Sequence, residues 1–312
     1  MKFLAFAILV FMSAAASGAQ ASTVRVVASI NVLSQPLQQI FAEEIAAGEL
    51  VIEPLMSVGV DPHLYVPTRA DLAEILSADL LLFIGLGLEA QFDDLLQRVS
   101  SRTDVAFVGD AVPRHLLLGK DCSGGNCLVD PHIWMDPAVY AYALSQAVRQ
   151  IDAVLSDGGD RAGKLARVDA LMTSVTADVQ ARFTASSSRA PLVTAHDAFS
   201  YYGRAFGLET VGLAGISTDV DPSVRRVQQL VDRIVDEAIP AVFLESSVPP
   251  QGVQALLNAA QGRGHAVVIR GPLYTDSLGP AGSEADTWQG MLMANTRHIT
   301  CALGQVSLGD CP

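Results

Sequence analysis

Short β-branched runs alternate with helical stretches twice along this chain, and a long helical pattern separates the two series. In the first series, strand-like runs at residues 24–28, 50–55, 80–84 and 105–108 bracket helical spacing at 33–46, 70–76 and 89–99. In the second, strand-like runs at 191–194, 209–213, 241–244 and 266–269 accompany helices at 223–237 and 250–260. A last helix at 283–303 has Ser283 as its cap. Between the series, residues 137–156 and 160–185 keep helical spacing, and Leu165, Val168, Leu171, Met172 and Val175 make one apolar face. Alternation of this kind builds a mostly parallel sheet with helices on its faces. The expected fold is therefore α/β. Two lobes, each a mostly parallel four-stranded sheet flanked by helices, are joined by one long rigid backbone helix. A helix of about 25 residues spans about 37 Å, a stiff spine where a Gly/Ser linker would be flexible. The expected boundaries are 22–158 for the N-terminal lobe, 159–187 for the linking helix and 188–312 for the C-terminal lobe.

The first 21 residues stand apart from this pattern. Lys2 precedes an apolar stretch too short to span a bilayer, and Ala19-Gln20-Ala21 supplies a small-residue cleavage pattern. A signal peptide over residues 1–21 is expected, with cleavage before Ser22. No cysteine precedes Cys122. The mature protein is thus expected to be soluble, exported and not lipidated. A net charge of −13, from 20 basic against 33 acidic side chains, argues against nucleic acid as a partner. Four cysteines in an exported chain predict disulfides, and four permit three connectivities. Local pairing, Cys122–Cys127 around a Ser-Gly-Gly-Asn turn and Cys301–Cys311 at the tail, is favoured over a thiolate zinc site.

The chemistry lies in two near-repeats. Asp61-Pro62-His63-Leu64-Tyr65 and Asp130-Pro131-His132-Ile133-Trp134 each present a histidine after an Asp-Pro turn. His196 follows the strand-like run ending at Thr194, and Asp276 closes Leu273-Tyr274-Thr275-Asp276. His63 and His132 fall in the first lobe, His196 and Asp276 in the second. Ligands of parallel sheets collect beyond the carboxyl ends of strands, so two lobes offering two groups each would share one site at their interface. Three imidazoles and one carboxylate suit zinc at ~2.0–2.2 Å, whereas manganese prefers more oxygen. Ordinary imidazoles protonate near ~6.5 and would then compete with the metal. Glu245, ending a strand, is read as an outer carboxylate or a substitute ligand. Asp61 and Asp130 either stiffen their turns or orient an imidazole. Asp136 is read as a helix cap, and Tyr65, Trp134, Tyr202 and Tyr274 either wall the site or simply pack. His115 is an accessory metal contact or a solvated side chain; His265 and His298 are read as solvated.

At these residues the chain resembles the periplasmic zinc and manganese solute-binding proteins that feed ABC transporters, of the ZnuA and TroA type. The matching segments are 61–65 with Pro67-Thr68, 130–137, 196–202, 243–247 and 273–276 with Gly279, within a likeness running from about residue 24 to 299. The resemblance implies two lobes on a backbone helix and metal ligands at His63, His132, His196 and Asp276. In that family the third position is histidine in zinc-type members and often glutamate in manganese or iron types. The chain departs from many zinc-type members in lacking a long His/Asp-rich loop before the second histidine block, where residues 119–128 stand instead.

The function expected is a periplasmic high-affinity receptor that delivers Zn2+ to an ABC-type importer, with manganese or iron as the alternative cargo. Its partners would be an inner-membrane permease with a cytoplasmic ATPase and, as a further candidate, a periplasmic metallochaperone; the receptor itself is expected to be a monomer. A zinc-dependent hydrolase with Glu245 as general base is the reading from a different class, and a surface adhesin a third. No His-Glu-x-x-His segment supports the hydrolase.

Overall fold

The computed structural model describes residues 22–120, 128–155, 159–184 and 190–304. The first lobe opens with β1 (Val24–Ala28), α1 (Asn31–Ile40), α2 (Ala42–Ala46), β2 (Leu50–Pro54), α3 (Arg69–Ser77), β3 (Leu80–Phe83), α4 (Asp93–Val99) and β4 (Asp104–Phe107). All pairings among these strands are parallel, in the order β2-β1-β3-β4. β3 is buried along its whole length, which is why its Leu80-Leu81-Leu82-Phe83 run is continuously apolar. The helix expected over 33–46 is two helices, because Phe41 (φ −102°, ψ 25°) breaks the ladder while burying its ring in the core. Thr68 caps α3 in a full capping box with Asp71.

A short antiparallel hairpin follows, β5 (Gly119–Lys120) with β6 (Leu128–Val129), at a place read from sequence as a loop. Asp136 then caps α5 (Pro137–Val154) by accepting from the Ala138 and Val139 amides, with Pro137 at the first helical position. α6 (Arg161–Thr184) is the spine, 24 residues and so about 36 Å long. Its start is fastened to the first lobe by buried charge. Lys164 bonds Asp152 of α5 at 2.8 Å and Glu44 of α2 at 2.7 Å, with its ammonium 4.6 Å from the Phe41 ring centre.

The second lobe carries β7 (Leu192–Thr194), α7 (Ser200–Phe206), β8 (Thr210–Gly212), α8 (Val224–Asp236), β9 (Ala241–Glu245), α9 (Gln251–Gly262), β10 (Val268–Leu273) and α10 (Trp288–Leu303). Its strands form two parallel pairs, β7-β8 and β9-β10, with β7 lying against β9. The spatial order β8-β7-β9-β10 thus repeats that of the first lobe. β10 runs past the expected end, to Leu273, by breaking register at Gly271 (φ +99°). The last helix begins later than expected. Thr287, not Ser283, is its cap, since residues 279–286 coil into turns closed by Gly279 N–H on Ala285 O and Gly282 N–H on Asp286.

One face of the second lobe's sheet, through Leu192, Ala241, Phe243 and Leu273, joins the same core as the first lobe and the spine. Its other face forms a separate smaller core under α8 and α9, with Val193, Val211, Val242, Leu230 and Leu256. The two lobes are therefore packed together, not merely linked. No helix among the described residues is long and apolar enough to cross a membrane. Residues 1–21 and the partners in both expected disulfides, Cys122–Cys127 and Cys301–Cys311, lie outside the described residues, except for Cys301 itself on α10.

Candidate metal centre

The four side chains singled out from sequence meet at the interface between the lobes. His63, His132, His196 and Asp276 each offer one ligand atom, and all four atoms lie within 4.8 Å of one another. Each is delivered by a loop beyond a strand. His63 comes after β2, His196 two residues past β7, and Asp276 three past β10. His132 follows the β5-β6 hairpin and starts the 3-10 turn Ile133–Met135. Gly212 makes the second lobe's approach feasible: a Cβ there would stand 2.5 Å from the Asp197 amide, against the backbone carrying His196.

The spacing fits a four-coordinate ion. His132 Nε2 lies 3.3 Å from His63 Nε2, 3.2 Å from His196 Nε2 and 3.3 Å from Asp276 Oδ1. Ligand atoms ~2.1 Å from a central zinc stand about 3.4 Å apart in a regular tetrahedron. Asp276 Oδ1 is buried and has no hydrogen bond among the described residues, while Oδ2 accepts from Ser247 Oγ at 2.8 Å. One carboxylate oxygen is thus held by the protein and the other faces the three imidazole nitrogens. A divalent cation satisfies all four atoms at once.

Outer carboxylates orient two of the rings. His132 Nδ1 donates to Asp130 at 2.8 Å, and its backbone amide donates to the same oxygen at 3.0 Å. His196 Nδ1 donates to Glu245 at 2.5 Å, with its amide on the other Glu245 oxygen at 2.9 Å. Placing the proton on Nδ1 turns each Nε2 lone pair toward the centre. Of the two readings open for Asp130, the structure therefore brings both together: it closes the turn and orients the ring. Asp61 differs, because from His63 it accepts only the backbone amide, at 2.9 Å, and no bond from the ring, while its other oxygen accepts from Thr218. Glu245 stands behind His196 and outside the four-atom cluster, as an outer carboxylate and not a substitute ligand.

Electrostatics follow from this enclosure. Burial pushes the His63 imidazole down to about 3. Burial also works against charge on His132, but the bonded Asp130 outweighs it and Asp276 adds to it, raising the group to about 9. His196 is likewise raised well above its ordinary value, Glu245 and Asp276 overcoming burial. Asp276, despite burial, is held well below the usual carboxylate range by His196 and His132. Without metal, the carboxylates thus favour a proton on the anchored histidines.

Of the aromatics, Trp134 alone among the four candidates touches the cluster. Its ring lies edge-on to His132 at 5.3 Å, and its indole N–H donates at 2.7 Å to the Thr275 carbonyl beside Asp276. Tyr65 instead bonds Asp71, Tyr202 bonds Thr296, and the Tyr274 backbone pairs with Asn295. His115 and His298 lie outside the cluster, and His265 bonds the Ile239 carbonyl at 2.8 Å. Sequence reasoning missed Ser247 as a partner of Asp276, and Thr218 and Ser277 as cross-lobe contacts. Ser247 sits in a quoted motif; Thr218 lies in an irregular loop with no local signal.

Two α/β lobes on a spine helix, closing a buried cluster of three histidines and one aspartate, define an extracytoplasmic metal-binding component of an ABC-type uptake system. The chain belongs to the ZnuA family, described as the periplasmic component A of a zinc-uptake complex, whose sequence pattern matches residues 26–302. It is 36% identical over 265 residues to the manganese-binding lipoprotein MntA of Bacillus subtilis (strain 168), covering 84% of this chain and 85% of that protein. It is 35% identical over 267 residues to the zinc-binding protein TroA of Treponema pallidum (strain Nichols), covering 84% and 85%. The solved structure of the periplasmic zinc-binding TroA superposes with a TM-score of 0.83 at 33% identity, covering 91% of this chain and 100% of that one.

Proposed function

We propose that this chain is a periplasmic receptor that captures Zn2+ through His63, His132, His196 and Asp276 and hands it to an ABC permease driven by a cytoplasmic ATPase. The observation carrying this reading is the set of ligand-atom spacings, 3.2 to 3.3 Å around His132 Nε2, which suits a tetrahedral ion. The engagement of Asp276 Oδ2 by Ser247 leaves one oxygen free and supports four-coordination, which favours zinc over the oxygen-rich shell manganese prefers. Manganese is the second reading, favoured by the 36% identity to a protein named for binding it.

Several finer assignments belong with this proposal. Residues 1–21 act as a cleaved leader, and the mature chain works in the periplasm. The lobes span 22–158 and 188–312, with 159–187 as the link. Disulfides join Cys122 to Cys127 and Cys301 to Cys311. The receptor works as a monomer, and a periplasmic metallochaperone is a candidate donor. A hydrolase is disfavoured by the site itself. Four protein ligands leave no position for an activated water, and both oxygens of Glu245 are engaged by His196.

Metal competition on stripped protein tests the reading. Zinc bound at one equivalent and undisturbed by excess manganese is the expected result. Equal or preferred manganese binding would move the cargo to manganese, and no binding of either would sink the receptor.

A further inference from the structure

Three of the four metal-site side chains are held by partners in their own lobe: His132 by Asp130, His196 by Glu245, and Asp276 by Ser247. His63 is not. Among the described residues its ring makes no hydrogen bond to a carboxylate; its one fixed point is the backbone amide on Asp61 Oδ1, 2.9 Å away. The other Asp61 oxygen accepts from Thr218 Oγ1 at 2.6 Å, and Thr218 belongs to the opposite lobe. A second cross-lobe bond, Gly59 N–H to Ser277 Oγ at 2.8 Å, holds the same loop. His63 is also the nearest of the four to solvent, 6% exposed where His132 and His196 are 0%. Thr218 itself sits in residues 213–223, a stretch without regular structure that reaches over from the end of β8.

We infer that Thr218 is a positioning residue acting across the cleft, a latch that holds His63 in the site through Asp61 and gives way when the lobes part. A ligand anchored within its lobe keeps its place when the other lobe moves, and a ligand anchored to the other lobe does not. Separation of the lobes lengthens the Thr218–Asp61 bond first, the Asp-Pro-His turn loses its brace, and His63 leaves the metal at the solvent-facing side. A closed four-ligand shell becomes a three-ligand shell with an open position, from which a metal exchanges far more readily. Thr218 never touches the ion; it sets how long the ion stays.

This inference rests on the receptor reading, and the experiment separates the two. Zinc-loaded protein is mixed with excess chelator in a stopped-flow instrument, and release is timed for the wild type, Thr218→Val, Thr218→Ser and Asp61→Ala. Loss of a hydrogen bond to a charged acceptor should quicken release by about tenfold or more in Thr218→Val, with one zinc still bound per chain. Thr218→Ser, which keeps the hydroxyl, should release at the wild-type rate. In an Asp61→Ala background, Thr218→Val should add nothing, because the two act in series. The zinc-dependent rise in melting temperature should shrink in Thr218→Val and return in Thr218→Ser, a pattern that a merely structural role would not give. Release from Thr218→Val within twofold of the wild type would overturn the latch and leave the receptor standing. A wild-type chain that takes up no metal would overturn both.

Discussion

A single nitrogen donor should set the metal preference, and protons held in the metal-free site should set how affinity varies with pH. His196 supplies the third nitrogen, so His196→Glu replaces it with an oxygen donor and should shift preference from zinc toward manganese, read by competition titration. The anchored histidines add a pH dependence that free imidazoles would not have. Competition below ~6.5 would be expected for unperturbed groups, but Asp130 raises His132 to about 9 against the pull of burial. The metal-free site therefore carries a proton on His132 at neutral pH that zinc must displace. Zinc affinity should strengthen about tenfold per pH unit for each displaced proton up to about pH 9. Calorimetry at pH 7.5 in buffers of different ionisation heat should show at least one proton released per zinc. Linkage gives the metal-free protein the matching sign. The contribution of His132 to folding is fully present below its unfolded value near 6.5 and is lost as pH rises through 9. His63, pushed down to about 3, does the opposite and weakens the fold as pH falls from 6.5 toward 3.

At the scale of elements, helix ends and one buried charge cluster fix the frame. Lys164 and Asp152 are almost fully buried where α6 leaves the first lobe, with side-chain exposures of 2% and 0%. Lys164→Met would strand the Asp152 carboxylate, with only the half-exposed Arg161 left beside it. The expected cost is about 3–5 kcal/mol in denaturant unfolding, with the metal equivalence unchanged in the fraction that folds. Asp136 combines two tasks, capping α5 and accepting from Arg204 of α7 at 3.0 Å. Its replacement by alanine should lower stability by about 1–2 kcal/mol without altering zinc stoichiometry, since it makes no contact with the four ligands. The Asp136 cap was legible in the sequence because its rule is local: Asp136, just before Pro137, lies within one turn of what it holds. The break at Phe41 and the late start of α10 were not legible, because burial of Phe41 and of Trp288 against other elements chose them.

For the molecule as a whole, the shared core limits how the lobes can move. Trp134 of the first lobe reaches the Thr275 carbonyl, Trp288 reaches the Trp134 carbonyl, and Tyr201 of α7 donates to the Asp130 carbonyl at 3.0 Å while accepting from the Leu118 amide. These bonds knit the lobes next to the metal, and α6 with α10 backs them with continuous apolar packing. Capture and release should then involve small tilts and loop shifts, not a wide hinge. Small-angle scattering should give a radius of gyration near ~19 Å for a compact chain of this size both with and without zinc. A clear contraction on loading would contradict the shared core. Zinc should still raise the melting temperature, and the rise should grow with zinc concentration, because the ion binds only the folded site.

The two α/β series, the spine between them and the four side chains that converge were legible along the chain, because apolar periodicity and strand-end motifs are written within a few residues. So were Asp130 and Glu245, as carboxylates near those ends. Which oxygen meets which ring, that Asp61 serves the backbone of His63 and not its imidazole, and that Thr218 reaches Asp61 from 157 residues away emerged only from the packing of the two lobes. The reason is range. A turn, a cap or a helix face is chosen by neighbours along the chain, whereas the support of each histidine depends on how two separately folded sheets meet, and no local pattern records that meeting.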